Sequence, residues 1–184
     1  MRLPSFLLST SLRLPLPGKS VLAAALLAAC LPGAHAVDWP AFRGALGTGH
    51  ASDAILPKDP KIKWSAKLPG RGLSSPILVG GKLFLTSASG AEQEKLQVHC
   101  FDAQGGKLLW TRQLLATGRT MTHPKTSVAA NTPCSDGKRI YVLWSCNDLA
   151  AFDLEGDLVW LRGLTSDYSN ASNSLGMASS PLVM

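Results

Sequence analysis

The sequence lacks the short motifs that mark the common catalytic folds. It contains no G-x-S-x-G nucleophile elbow, no phosphate-binding glycine loop and no H-E-x-x-H helix. Its four cysteines include neither a C-x-x-C spacing nor an adjacent pair, so no zinc site or dense disulfide framework follows from them. We therefore predict no catalytic residue, no bound cofactor and no metal site in this chain.

Long apolar runs and clusters of one charge are also missing. The apolar stretch from Val21 to Ala29 is far shorter than the ~20 residues that a membrane-spanning helix needs, so the sequence predicts no transmembrane span. The basic residues are scattered through expected turns and strand ends. Examples are Lys61, Lys63, Lys82, Lys107, Lys138 and Arg139. Without a cluster of cations, no nucleic acid or other polyanion is expected as a partner.

The first 36 residues have the pattern of a secretory signal peptide. They hold three cations and no acidic residue, and the apolar stretch is followed by small residues at Ala34 and Ala36. Cleavage after Ala36 would start the mature chain at Val37. It would leave 15 Lys and Arg of the original 18 against 12 Asp and Glu, so the net charge falls from +6 to +3. The sequence thus predicts an exported protein of the periplasm or cell envelope.

A second interpretation of the same segment remains open, although cleavage after Ala36 is favoured. Leu27-Ala28-Ala29-Cys30 resembles a lipobox, in which the cysteine is lipidated, becomes the mature N-terminus and provides a lipid anchor. In either case the folded part keeps Cys100, Cys134 and Cys146. Export permits a disulfide, but the sequence does not select a pair, and burial of these cysteines as small hydrophobes is favoured.

Internal similarity is the most informative feature, since it decides the architecture. Residues 74–86 match residues 131–143, and residues 101–110 match residues 152–160 with one residue fewer in the turn. The recurring positions are Pro76 with Pro133, Gly81 with Gly137, Asp102 with Asp153, Gly106 with Gly156, and Trp110 with Trp160. Trp64 precedes the first unit in the same role, so three tryptophans recur at steps of 46 and 50 residues.

The repeat divides the chain after the signal peptide. Residues 37–63 form an entry segment, and residues 64–184 carry the repeats. The first unit spans about 74–110, the second about 131–160, and a third begins at about residue 178, where Ser179-Ser180-Pro181 resembles the start of the other two. A period near this length suits one blade of a propeller.

Each unit predicts four short strands. Gly80-Gly81 and Asp136-Gly137 are dipeptides that favour tight two-residue turns between strands. The other strands are expected at Leu83–Thr86, Val98–Phe101 and Leu108–Trp110 in the first unit, and at Ile140–Trp144, Leu149–Phe152 and Leu158–Trp160 in the second. Such sheets must stack to bury both faces. We therefore predict an all-β propeller of four-stranded antiparallel blades, with the repeated tryptophan packed between neighbouring blades.

Two polar features have structural explanations that are favoured over chemical ones. Asp102 and Asp153 each begin a turn, where the side chain can accept hydrogen bonds from the following amides, so we do not interpret them as paired catalytic carboxylates. His123 lies in a linker without a neighbouring carboxylate or second histidine, and we expect it to face solvent.

The pattern Asp-x-x-x-Gly-x-x-x-Trp at Asp102, Gly106 and Trp110 is similar to the signature of PQQ-like β-propeller repeats. The segment from Asp38 to Gly49, with its W-P-x-F-R-G run, resembles the opening of exported bacterial members. The resemblance covers nearly all of residues 38–184. The family that the chain resembles includes quinoprotein alcohol dehydrogenases, a lipoprotein scaffold that helps to insert outer-membrane proteins, and other exported propellers.

Three functions are compatible with that resemblance, because fold alone does not choose among them. The first, which we favour, is a non-catalytic scaffold that binds another envelope protein or an extracellular ligand. The second is a PQQ- and calcium-dependent dehydrogenase whose active-site residues lie beyond Met184. Such an enzyme requires oxygen ligands that converge on its calcium ion. The third is an outer-membrane assembly lipoprotein anchored through Cys30. With about two complete units where propellers use about 4 to 8 blades, we expect the chain to be an N-terminal fragment.

Overall fold

Two four-stranded antiparallel sheets make up the described part of a computed structural model, which covers residues 38–51, 54, 57–168, 170–171 and 175–184. The strands of the first sheet are β1 Ile77–Val79, β2 Lys82–Ser89, β3 Lys95–Asp102 and β4 Leu108–Leu115. Those of the second are β5 Cys134–Ser135, β6 Arg139–Leu143, β7 Asp148–Asp153 and β8 Leu158–Gly163. Both sheets follow chain order, and a short helix, α1 Leu164–Asp167, comes after β8. The predicted all-β fold class is confirmed.

Several sequence predictions lie outside the described residues. These are the signal peptide over residues 1–36 and the candidate lipidation site at Cys30. Within the described ranges, no helix has the length and hydropathy that crossing a membrane requires.

The first hairpins of the two sheets have turns of different length. Val79 pairs with Lys82, and Gly80 and Gly81 have φ of 56° and 75°, which suits a tight two-residue turn. For the second sheet the prediction of a two-residue turn at Asp136-Gly137 is wrong, because Ser135 pairs with Ile140. The Asp136 carboxylate instead accepts the N–H groups of Lys138 and Arg139 at 2.8 and 2.7 Å. These side-chain bonds stabilise a wider turn.

The outer half of each sheet contains the same irregularity at the same repeat position. The register shifts between Cys100 and Phe101 where β3 pairs with β4, and between Ala151 and Phe152 where β7 pairs with β8. A bulge of this kind redirects the side chains that follow it. As a result Trp110 pairs with Cys100, and Trp160 occupies the equivalent place opposite Ala151.

The hydrophobic core lies between the two sheets. Alternate residues of each strand point to one face, and the inner face of the first sheet contributes Phe84, Val98 and Cys100, each at most 1% exposed. The second sheet contributes residues such as Ile140 and Phe152 to the same cluster. Phe152 is 1% exposed. Burial of these apolar side chains, each worth about 1.5–3 kcal/mol relative to exposure, is what joins the two units.

The inner ends of the repeats are linked by hydroxyl groups that precede each proline. The Ser75 N–H donates to Thr132 Oγ1 at 3.0 Å, and the Thr132 N–H donates to Ser180 Oγ at 3.0 Å. Asn131 Nδ2 also donates to the Ser179 carbonyl oxygen at 2.8 Å. Residues 178–184 form no strand, but their start lies beside the second repeat as the second lies beside the first.

Candidate functional site

Two of the three repeated tryptophans lie over the glycine turn of the next unit along the chain. Trp64 Nε1 donates to the carbonyl oxygen of Ala103 at 3.1 Å, and Trp110 Nε1 donates to that of Leu154 at 3.1 Å. Both acceptors directly follow the aspartate that begins the turn. Trp110 therefore connects the two sheets. The pattern of aspartate, glycine and tryptophan thus serves to pack one repeat against the next.

Glycine is required beneath each indole. Gly106 and Gly156 have φ of 70° and 93°, in the left-handed region. A Cβ atom on Gly106 would lie 2.4 Å from Trp64 Cδ2, and one on Gly156 would lie 2.8 Å from Trp110 Cδ2. Both the backbone conformation and the close approach of the tryptophan make any larger residue at the two positions destabilising.

The recurrence of aspartate at positions 102 and 153 is explained by hydrogen bonds within the turns. Asp102 Oδ2 accepts the Gly105 N–H. Asp153 Oδ1 accepts the N–H groups of Glu155 and Asp157 at 3.0 and 2.7 Å. The two carboxylates belong to separate turns and are each occupied by backbone donors, so the arrangement stabilises turns and does not form an acid–base pair.

A buried polar cluster on β2, β3 and β4 was missed by sequence reasoning. Ser87 Oγ lies 2.8 Å from His99 Nε2 and donates to Gln97 Oε1 at 3.0 Å. His99 Nδ1 lies 3.0 Å from Thr111 Oγ1. A serine beside a histidine can act as a nucleophile with its base, but Ser87 is 0% and His99 1% exposed. Burial lowers the pKa of His99, and the cluster serves to satisfy buried polar atoms.

Asp148 holds the segment that leaves the first sheet. It is 0% exposed, and its Oδ2 accepts the Thr117 N–H at 2.8 Å. The Thr117 hydroxyl donates to Oδ1 of the same carboxylate, and Cys146 Sγ lies 3.2 Å from Oδ2. Every bond joins Asp148 to the chain around it, so the carboxylate has a structural role.

The three cysteines of the described chain are buried free thiols. Burial raises the pKa of Cys100 and of Cys134 to about 11. Burial, with the adjacent Asp148 carboxylate, raises that of Cys146 to about 12. Because the thiolate is the nucleophile and metal ligand, these side chains are inert at neutral pH, as expected for small buried hydrophobes.

The linker loop, residues 116–131, exposes polar side chains at its tip and is anchored by hydrogen bonds near both of its ends. Its first end is held by Asp148, and the Val128 N–H donates to Gln93 Oε1 at 3.2 Å near its other end. The residues at the tip share exposure to solvent. They are Arg119, Met121, His123, Pro124 and Lys125. The loop is braced because Arg71 Nη1 donates to the Pro124 carbonyl oxygen at 2.9 Å.

His123 lies at that tip, with its imidazole exposed. Its Nδ1 accepts the Lys125 N–H at 3.1 Å, and its carbonyl oxygen accepts the Thr126 N–H at 2.9 Å. The histidine thus stabilises the turn at the exposed loop tip.

Calcium needs six to eight converging oxygen ligands. Among the described residues, Asp102 and Asp153 lie in separate turns, where each accepts backbone N–H groups. Asp148 accepts hydrogen bonds from Thr117. In the part of the chain that the structure describes, no three histidine, cysteine, aspartate or glutamate side chains are grouped to hold a metal ion.

Comparison with known proteins supports the repeat assignment. A family model described as outer membrane protein assembly factor BamB matches residues 46–184. No curated protein sequence matches the chain at a significant level. The structure is similar to quinohemoprotein alcohol dehydrogenase from Comamonas testosteroni, with a TM-score of 0.52, 19% identity and coverage of 80% of this chain and 22% of that one.

A second solved structure is BamB from Moraxella catarrhalis, with a TM-score of 0.37, 16% identity and coverage of 64% of this chain and 32% of that one. The described sequence therefore spans less than a third of either of these two proteins. At 19% identity the likeness to the first of these structures concerns the fold alone.

Proposed function

Because this chain belongs to the family of PQQ-like β-propeller repeat proteins, we propose that it is an exported, non-catalytic scaffold that binds another protein of the cell envelope or an extracellular ligand. The binding element is the tip of the linker loop, residues 119–125. Localisation to the periplasm or cell envelope is part of the proposal and is supported by the signal-peptide pattern of residues 1–36.

The observation that carries this proposal is the way in which the linker loop is anchored. Both of its ends are hydrogen-bonded to side chains, at Asp148 and at Gln93. Between these anchors the loop exposes two cations, a methionine and a histidine. Binding residues are often presented on loops that a rigid scaffold positions, and methionine adapts to irregular partner surfaces.

The carboxylates, thiols and the buried histidine that could act in catalysis are held in structural contacts, which favours a scaffold over an enzyme. The aspartates of the repeat hold turns, the three thiols are buried with a raised pKa, and His99 is enclosed with Ser87. The matching family model is described as an outer membrane protein assembly factor, a description that names assembly of another protein. The dehydrogenase alternative is supported only by similarity of fold, which does not determine activity.

Partner capture with a matched loop variant tests the proposal. The full chain, tagged and expressed in its native host, is cross-linked in intact cells, purified and analysed by quantitative mass spectrometry. The loop variant Arg119→Ser, Met121→Ser, Lys125→Ser removes the exposed side chains. A control variant, Lys61→Ser, Ile62→Ser, Lys63→Ser, removes two cations and an apolar residue that is 89% exposed from the entry segment.

We expect one or a few envelope proteins to be enriched with the original chain and the control variant, and lost with the loop variant while its melting temperature is unchanged. The absence of a reproducible partner, or equal enrichment with the loop variant, would count against the proposal. Titration of the same protein with PQQ and calcium separates the dehydrogenase alternative, which requires a saturable change in absorbance.

A further inference from the structure

The tip of the linker loop is positively charged and belongs to a stretch of sequence without acidic residues. Between Asp102 and Asp136 the chain has Lys or Arg at four positions and neither Asp nor Glu at any. Two of these cations, Arg119 and Lys125, are exposed at the tip. The positive charge of the stretch is therefore not balanced by its own sequence.

Folding adds a third cation to the tip from a distant part of the chain. Arg71 is fixed to β2, because its backbone N–H and its carbonyl oxygen both bond to Ala88 at 2.8 Å. Its Nη1 donates to the carbonyl oxygen of Pro124, 53 positions further along the chain, at 2.9 Å. Arg71 is itself exposed. The cationic surface, defined as Arg71, Arg119 and Lys125, is thus assembled from two segments.

The described chain leaves most donors of this cationic surface unused. Arg119 Nη2 contacts Met121 Sδ at 3.4 Å, and a thioether is only a weak acceptor. Among the described residues, no hydrogen bond to the Lys125 ammonium and no ion pair to any of the three cations is formed. The cations that do form ion pairs lie on the sheets, at Lys82, Arg112 and Arg162.

The turn that holds the other end of the linker loop is acidic. Gln93, which accepts the Val128 N–H, lies between Glu92 and Glu94. Glu94 Oε2 accepts the Glu92 N–H at 3.0 Å, and hydrogen bonds from the backbone lower the pKa of Glu94. This carboxylate is therefore charged and held within its own turn. A negatively charged partner is repelled at that end of the loop and attracted at the tip.

From these observations we infer that the cationic surface binds an acidic segment of a polypeptide, whose aspartate or glutamate side chains pair with Arg119, Lys125 and Arg71. The inference rests on the proposed function and names the chemistry of its partner. A guanidinium donates two parallel hydrogen bonds to one carboxylate, and the exposed Met121 can pack against apolar parts of the same segment. Three cations are fewer than the four to eight of segments that bind anionic membranes, which favours a polypeptide over a lipid surface.

Fluorescence anisotropy of a labelled peptide tests the inference. In the probe peptide glutamate alternates with serine, and in the control peptide glutamine replaces every glutamate. The full chain is titrated into each peptide. We expect saturable binding of the glutamate peptide that weakens as the ionic strength is raised, and no saturable binding of the glutamine peptide. Equal binding of the two peptides would overturn the inference.

Matched charge variants locate the binding surface. Arg119→Gln combined with Lys125→Gln should weaken binding of the glutamate peptide ~10-fold, because two ion pairs are lost. Lys61→Gln combined with Lys63→Gln removes the same charge from exposed positions of the entry segment and should change the affinity less than ~2-fold. Arg119→Lys keeps the charge and should retain most of the affinity. Equal effects of the two double variants would contradict the assignment.

Two further comparisons separate this inference from its alternatives. If vesicles of phosphatidylglycerol bind the chain and the glutamate peptide does not, the surface recognises lipid and the inference is wrong. In the cellular cross-linking experiment, a partner may be lost with the triple serine loop variant but kept with Arg119→Gln, Lys125→Gln. That result would support the scaffold and overturn this inference. Charge-dependent binding of the glutamate peptide without any cellular partner would refute the scaffold alone.

Discussion

Ser180 Oγ lies 3.0 Å from the Thr132 nitrogen and accepts its N–H, while the Thr132 hydroxyl accepts the N–H of Ser75 at the same distance. All three residues directly precede a proline. Since proline has no N–H of its own, the residue before it supplies the donor that links one repeat to the next. The hydroxyl group at this position therefore accepts a hydrogen bond that links the inner ends of consecutive repeats.

Replacement of Thr132 by valine should destabilise the protein. Valine keeps the shape of the side chain and removes the acceptor, so the partly buried Ser75 N–H loses its partner. We expect a loss of about 1–2 kcal/mol in the free energy of unfolding, measured by urea denaturation. Thr132→Ser retains the hydroxyl and should cost less than Thr132→Val. An equal cost for the two would show that methyl packing, and not the hydrogen bond, matters here.

Substitution of the turn glycines should separate backbone strain from contact with tryptophan. Gly137 and Gly156 have φ of 86° and 93°, but a Cβ on Gly137 meets no atom within 4 Å, whereas one on Gly156 meets Trp110. We expect Gly137→Ala to cost roughly 1–2 kcal/mol from its left-handed backbone. Gly156→Ala should cost about 1–3 kcal/mol more because the indole must move.

Thermal unfolding monitored by tryptophan fluorescence provides both values. The additional cost of Gly156→Ala should disappear in a Trp110→Ala background, because the smaller side chain leaves room for the new Cβ. Persistence of the difference in that background would contradict the assigned role of Trp110.

The fold could be predicted because its determinants are local and repeated. Gly80-Gly81 specifies a hairpin by itself, and the order of aspartate, glycine and tryptophan at Asp102, Gly106 and Trp110 recurs in the second unit with one residue fewer in the turn. Strand ends were missed where polar residues continue a strand. β2 runs on to Ser89 and β3 begins at Lys95, beyond the apolar limits at Thr86 and Val98, because Ser87 and Gln97 satisfy each other inside the sheet.

The linker anchor could not be predicted, since Asp148 and its partner Thr117 are 31 positions apart and neither belongs to a motif. The Asp136 turn was misjudged because its carboxylate competes with the tight-turn geometry that Asp-Gly favours. The hydroxyl before each proline was visible in the aligned repeats at Ser75, Thr132 and Ser180. Only the structure showed which backbone group it binds.

The stability of the protein should fall as the pH decreases below about 6.5, the ordinary pKa of histidine. Burial lowers the pKa of His99 in the folded state, so the unfolded chain binds this proton first and unfolding is favoured as the pH falls towards the folded-state pKa. We expect His99→Gln to reduce the dependence between pH 8 and 5. Urea denaturation of the original chain and the variant at several pH values measures this dependence.

Chemical labelling of the cysteines measures both the folding of the protein and the processing of its N-terminus in one experiment. The pKa values of about 11 for Cys100 and Cys134 and about 12 for Cys146 keep these thiols protonated at pH 7.5. Iodoacetamide should therefore label none of the three in the folded protein and all three after denaturation.

Cleavage after Ala36 predicts that the protein purified from its native host begins at Val37 and takes up three labels on unfolding. Lipidation predicts instead that the chain begins at Cys30, that its thiol is blocked, and that the intact mass includes the acyl chains. The label count is three in both cases, so the N-terminal peptide decides between them. A fourth label that appears without denaturant would indicate an unprocessed chain with an accessible Cys30, and would contradict the export proposed for the protein.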